Sequence, residues 1–195
     1  MKELKKLFDS CASSYDEYME SKGLYKLEKK ILKKILPLIN NRKILDLGCG
    51  TGELSIYISK NTNAEVVGID ISPKMIDIAN KKKEKYNLQN VSFYSLDIYG
   101  IPTSWKFDFI IGSFILGYLR DKYSFIKKID KICEKEFLII GAKEESIKSM
   151  KKGEIRKYWE KIDYEVWENY LSSINFKFNK QITEGNIFAK IYSKV

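Results

Sequence analysis

The residues best suited to chemistry lie between positions 44 and 98. Ile44-Leu45-Asp46-Leu47-Gly48-Cys49-Gly50-Thr51-Gly52 joins a short apolar run to a segment of helical character. Glycines this close together let the backbone turn sharply and let a ligand approach where a Cβ would stand in the way. Two more carboxylates close apolar runs downstream, Asp70 after Glu65–Ile69 and Asp97 after Val91–Leu96. A carboxylate at the first of these places can accept hydrogen bonds from both hydroxyls of a ribose. One at the second can accept from an adenine amino group, with Ile71 and Ile98 packed against the ring. The constellation points to a nucleoside-like ligand.

What the loop lacks narrows that ligand. A dinucleotide fingerprint, G-x-G-x-x-G, needs a third glycine. Counted from Gly48 that place holds Glu53, and counted from Gly50 it holds Ser55. A P-loop closes on Gly-Lys-Ser/Thr, which is absent. Glu53 beside the loop would also repel a pyrophosphate. A ligand without phosphate is expected.

Composition removes other chemistries. The chain has no histidine, the commonest metal ligand and general base. Its three cysteines, Cys11, Cys49 and Cys133, are far apart and form no CxxC spacing. No metal site and no Ser-His or Cys-His nucleophile are expected. The net charge of +9 hints at an anionic partner. However, only Arg42, Arg120 and Arg156 are arginine, and the lysines are dispersed. Arginine is the residue suited to bidentate phosphate and base contacts, so nucleic acid is a partner not favoured. At 195 residues and 44% apolar composition the chain suits one domain. No apolar run is long enough to span a bilayer, so a cytoplasmic protein with no membrane partner is expected.

The surrounding elements must hold the loop and the carboxylates in place. Residues 3–20 have helical character, and 24, 27, 31, 35 and 38 are apolar at helical spacing, with Pro37 kinking or closing that helix. Strand-like runs at 43–47, 65–69, 91–96, 107–114 and 137–141 alternate with helical stretches at 52–60, from Ser72 as N-cap and Pro73 at the first position, and at 121–134. This order specifies an α/β fold with a mostly parallel sheet. A helix at about 163–174 then leads to runs 176–182 and 187–193, joined by Glu184-Gly185-Asn186, which reads as a hairpin.

Together these motifs resemble the class I S-adenosylmethionine-dependent methyltransferases over nearly the whole chain, in the small-molecule branch. The resemblance rests on Ile44–Gly52, Val66–Asp70 with Ile71–Met75, Asp97-Ile98, and Phe107-Asp108 through Leu119. It implies a Rossmann-like seven-stranded, mostly parallel sheet with an antiparallel C-terminal hairpin, helices on both faces and an N-terminal helical lid. It implies one domain, with the lid at 1–40, a cofactor-binding core at 41–143, and a lid insertion, helix and hairpin at 144–195. The implied cofactor is S-adenosyl-L-methionine. Gly48, Gly50 and Gly52 would line its methionine moiety, which Asp46 orients, and Cys49 would also belong to the cofactor-binding residues. Asp70 would take the ribose, Ile71 and Met75 the border of the adenine, and Asp97 and Ile98 its edge. Ser113 and Phe114 would face the sulfonium and the acceptor. The Cys11–Asp16 stretch resembles the element that folds over the cofactor in small-molecule members, with Tyr15 reaching its carboxylate. Tyr158 and Trp159 would shape the acceptor pocket or cover the core.

The family often carries a histidine a few residues beyond the fourth strand, where this chain has Gly117-Tyr118-Leu119. Tyr15 and Tyr118 are therefore the candidate catalytic residues, and an acceptor that is already nucleophilic fits best. A small-molecule acceptor is the leading expectation. The alternatives are an RNA or protein methyltransferase that docks through lysines and, less favoured, a cofactor-binding module without catalysis.

Overall fold

The computed structural model describes residues 2–143, 160 and 162–195. Five strands form its parallel frame: β1 (Lys43–Leu47), β2 (Glu65–Asp70), β3 (Val91–Ser95), β4 (Phe107–Ser113) and β5 (Cys133–Ala142). The hairpin strands β6 (Phe176–Glu184) and β7 (Ile187–Lys194) complete a seven-stranded sheet in the order β3-β2-β1-β4-β5-β7-β6. β7 is antiparallel to both of its neighbours, so it alone runs against the rest. The expected Rossmann-like sheet and antiparallel hairpin are present.

The inner strands are buried on both faces, which explains their near-continuous apolar runs. Ile44, Phe109, Ile111 and Leu138 point to one face, and Leu45, Leu47, Ile110 and Phe137 to the other. The first face is covered by α2 (Leu24–Ile39), α3 (Glu53–Asn61) and α4 (Pro73–Lys85). The second is covered by α5 (Lys122–Ile132) and α6 (Tyr164–Ser172). Asp46 is the exception among the buried positions of β1. It sits opposite Gly68 of β2 and Ile111 of β4, in the middle of the sheet.

The chain leaves β1 toward β2 on one side and returns to β4 on the other. This reversal opens a crevice at the carboxyl ends of β1 and β4, where open α/β sheets bind ligands. The helix α1 (Lys2–Ser21) packs against α4 and α2 at that end.

Local expectations hold with two differences. Ser72 caps α4 by accepting from Met75 N, with Pro73 at the first helical position. Pro37 lies inside α2, which closes two residues later at Ile39. The fifth strand starts four residues before the expected position, at Cys133. Its first turn of sequence carries Glu134, Lys135 and Glu136, whose polarity conceals a strand that pairs with Phe107 and Phe109. The helix before it stops at Ile132 for the same reason. The second difference concerns α2. Ile31, Leu32, Ile35 and Ile39 are completely buried, so most of α2 is a layer of the core, while among the described residues α1 supplies most of the cover over the crevice, with Leu24 of α2 beside it. Tyr158, Trp159 and most of the expected insertion lie outside the described residues. No helix among the described residues is long and apolar enough to cross a membrane.

Candidate functional site

A cavity occupies the crevice, walled by the strand ends below and α1 above. Of the residues expected at the site, Tyr15, Gly48, Gly50, Asp70, Ile71, Met75, Asp97, Ile98, Ser113, Phe114 and Tyr118 line it. Asp46, Cys49 and Gly52 do not.

Gly50 shows why the loop needs glycine where it meets the cavity. Its φ is +53°, a conformation that strains a side chain, whereas an added Cβ would make only an ordinary 3.5 Å contact with the Tyr15 ring. Gly52 is glycine for another reason. At φ +79°, its Cβ would lie 2.7 Å from the ring of Phe93 and 2.9 Å from Ala79 Cβ. The third glycine thus answers to packing of α3 against β3 and α4, and not to a ligand. Cys49 is buried beneath the loop, where its backbone N donates to Ile69 O at 2.9 Å.

The carboxylates divide by depth. Asp70 is tied to the loop it serves: Gly50 N donates to Oδ2 at 3.0 Å and Ser72 N to Oδ1 at 2.8 Å. Burial raises its carboxyl to about 6, against the pull of those N–H donors. Its oxygens retain lone pairs for a ligand. Asp97 caps the short turn Ile98–Gly100 by accepting from Tyr99 N at 3.0 Å. Arg120 lies 4.0 Å from Asp97 and stacks over the Tyr99 ring at 4.6 Å. At Asp97 the capping role and the cavity-lining position coincide. Asp46 lies deeper. It accepts from Ser55 Oγ at 2.6 Å, and burial raises it to about 6, with the charge of Asp70 adding to the shift.

At the end of β4, Phe114 has φ +53°, a strained conformation for a bulky residue, and its N donates to Ile140 O at 2.9 Å. The preceding Ser113 donates its hydroxyl proton to Glu28 of α2. Glu28 is 1% exposed, and burial pushes it up to about 8. Sequence reasoning missed it. Its signal was a charge on the apolar stripe of α2, one turn from Leu24 and from Ile31 and two turns from Ile35.

α1 supplies Leu4, Phe8, Tyr15, Tyr18 and Met19 to the cavity wall. Polar ties hold it down. Asp9 accepts from Ser72 Oγ at 2.6 Å. Asp16 accepts from Tyr25 OH at 2.8 Å and from Thr51 of the glycine loop, and it pairs with Lys82 at 2.6 Å. Lys82 also reaches Glu53 at 3.3 Å, which Lys29 holds at 2.7 Å. This corrects one step of the sequence argument. Glu53 is neutralised by two lysines, so the missing third glycine disfavours a dinucleotide and electrostatic repulsion does not.

Burial raises the phenols of both Tyr15 and Tyr118. Each is therefore a hydrogen-bond donor and a poor base near neutral pH. Among the described residues no lysine or arginine lines the cavity, and no group of Cys, Asp and Glu is placed to hold a metal ion.

The family described as "Methyltransferase domain" matches residues 39–181. A malonyl-[acyl-carrier protein] O-methyltransferase of Acetivibrio thermocellus is 30% identical over 63% of this chain and 42% of its own length. A demethylmenaquinone methyltransferase of Lactobacillus johnsonii is 31% identical over 67% of this chain and 56% of its own. The chain spans about half the length of the curated relatives it matches. Among solved structures, the magnesium protoporphyrin IX methyltransferase of Synechocystis with bound S-adenosylhomocysteine superposes with a TM-score of 0.81. It shares 16% identity, with 100% of this chain and 99% of that one covered.

Proposed function

Because the chain belongs to the class I S-adenosylmethionine-dependent methyltransferases, we propose that its cavity holds S-adenosylmethionine and that the enzyme transfers the sulfonium methyl group to a small-molecule nucleophile. The observation that carries the reading is the convergence of Gly50, Asp70 and Asp97 on one cavity. The fit has physical content. Gly50 lines the cavity at a positive φ that a side chain would strain, and Asp70 has lone pairs left for ligand hydroxyls. Asp97, Ile98, Ile71 and Met75 suit an adenine, while Gly48 and Gly50 border the amino-acid end. Asp46, Cys49 and Gly52 support the loop from below.

The bound sulfonium supplies an electrophilic methyl group, so the protein contributes position and exclusion of water. Ser113 and Phe114 would face the reacting end. Phe8, Tyr18, Ile115, Tyr118 and Leu119 make the rest of the wall largely apolar, which suits a small, mostly apolar acceptor. With no histidine and with Tyr15 and Tyr118 held as phenols, an acceptor that is already nucleophilic fits best. The tyrosines would orient it by donating hydrogen bonds. The names of the two relatives above favour acceptors outside nucleic acid.

Calorimetry tests the reading: S-adenosylhomocysteine should bind, and Asp70→Ala should weaken it tenfold or more, about 1.4 kcal/mol. Binding of NADH with indifference to S-adenosylhomocysteine would overturn it. One observation favours a macromolecular acceptor instead. Lys26, Lys30 and Lys33 line a shallow groove on the outer side of α2, a surface suited to an anionic partner.

A further inference from the structure

Glu28 is an acid without an evident reason to be buried. It occupies the stripe of α2 that otherwise buries Leu24, Ile31 and Ile35. One oxygen accepts from Ser113 Oγ, and the other, Oε2, is buried with no hydrogen-bond partner among the described residues. An unmade hydrogen bond of this kind is costly unless something completes it when the site is filled.

The charged and titratable neighbours come from every side. Asp46 faces Glu28 from β1, Glu53 from α3 and the phenol of Tyr15 from α1, with Lys29 adjacent on α2 itself. Lys29 is committed to Glu53 at 2.7 Å. Two buried acids, Glu28 and Asp46, therefore stand together behind the wall at Ser113, and the nearest lysine is taken. Ser113 belongs to that wall. Its proton points to Glu28, so toward a ligand its oxygen can only accept.

We propose that Ser113 and Glu28 form the receiving site for the ammonium of the donor's amino-acid end, Ser113 accepting an N–H and Glu28 supplying the compensating negative charge. The inference rests on the cofactor reading above and deepens it. Glu28 is a positioning residue, acting through Ser113. A ligand with the same nucleoside and no amine should not sense it.

The test compares S-adenosylhomocysteine with 5′-methylthioadenosine, which lacks the amino-acid end. Titration calorimetry at pH 7 in two buffers of different ionisation enthalpy reads affinity and proton exchange together. Burial pushes Glu28 up to about 8, so an arriving ammonium should expel its proton. The wild type should release up to one proton per S-adenosylhomocysteine bound, and Glu28→Gln should lack that release. Glu28→Gln should also weaken S-adenosylhomocysteine about tenfold or more and leave 5′-methylthioadenosine within about twofold. Ser113→Ala, which keeps Glu28 in place, should discriminate between the two ligands in the same sense and serves if Glu28→Gln fails to fold. Equal losses for both ligands in the folded variant, or unchanged proton release, would overturn the inference while the cofactor reading stands. Failure of the wild type to bind either nucleoside would overturn both.

Discussion

Glu28 and Asp46 are withdrawn from water and Asp70 is half-buried at the cavity wall, and burial pushes each toward its neutral form. In the unfolded chain they return to ordinary carboxylate values near 4. Between those values and about 6 for the aspartates or about 8 for Glu28, the folded state holds more protons than the unfolded one. Stability contributed by these groups therefore falls as pH rises through the window and levels off above it. Asp16 and Glu53 act in the opposite sense, because their lysine partners lower them and their contribution is lost in acid. Above pH 6 mainly Glu28 is left, so Glu28→Gln in the ligand-free protein should remove a slope of up to about 1.4 kcal/mol per pH unit. Urea denaturation at pH 6, 7 and 8 measures it. A wild-type-minus-variant difference that stays constant across the three values refutes the account. At Gly52, alanine meets both the positive φ and the Phe93 ring, and the cost should be about 2–4 kcal/mol of stability. Gly50→Ala should spare stability more and binding less, and paired melting and titration curves separate the two effects. The glycines and strand-end carboxylates were legible because their meaning is local: a spacing, or a place after an apolar run. Glu28, Asp16 and Lys82 were not, because their partners Ser113, Thr51 and Glu53 are brought to them only by packing of distant helices.

At the level of elements, α1 is joined to the rest more by polar ties than by a core, since only Ala12 and Met19 are buried along its 20 residues. Asp16 is the hub, touching α2 through Tyr25, the glycine loop through Thr51 and α4 through Lys82. Asp16→Ala should therefore loosen α1, lowering amide-exchange protection there by about 1–3 kcal/mol while the sheet keeps its own. Equal loss of protection in α1 and β1 would show that the helix is not a separable unit. The strands were readable from double-sided burial, and α4 from Ser72-Pro73. The start of β5 was not, because three charged residues precede its apolar half. The place of α2 was not either, since helical periodicity states which face is buried and leaves open whether a core or a movable cover buries it.

For the whole molecule, the charge of +9 is spread over the surface while the cavity is acidic and apolar. A transferred methyl group destined for a small acceptor never has to engage that surface. Turnover on such an acceptor should change little, by less than about threefold, between 50 and 200 mM salt. An RNA acceptor held through six or more phosphates should lose affinity by about a thousandfold or more over the same range. Steady-state assays at the two salt concentrations decide between them. The crevice itself was foreseeable at this scale, because a chain that runs from β1 to β2 and returns to β4 must open the sheet beside Asp46 and Ser113. The family resemblance pointed to the N-terminal helix as its cover, whereas the polar ties that hold α1 there were not legible, since their partners lie far off in the sequence.

Phe93 has a consequence beyond the core it fills. An added Cβ at Gly68 would lie 2.6 Å from its ring, much as one at Gly52 would. One aromatic residue on β3 thus forbids side chains at two positions on different elements, one of them inside the cofactor loop. The three sites are locked as a unit of inheritance. A lineage that shortened residue 93 could afterwards admit alanine at 68, whereas alanine at 68 arising first would meet the ring. The order in which such changes can accumulate is written into the geometry, independently of anything the cavity binds.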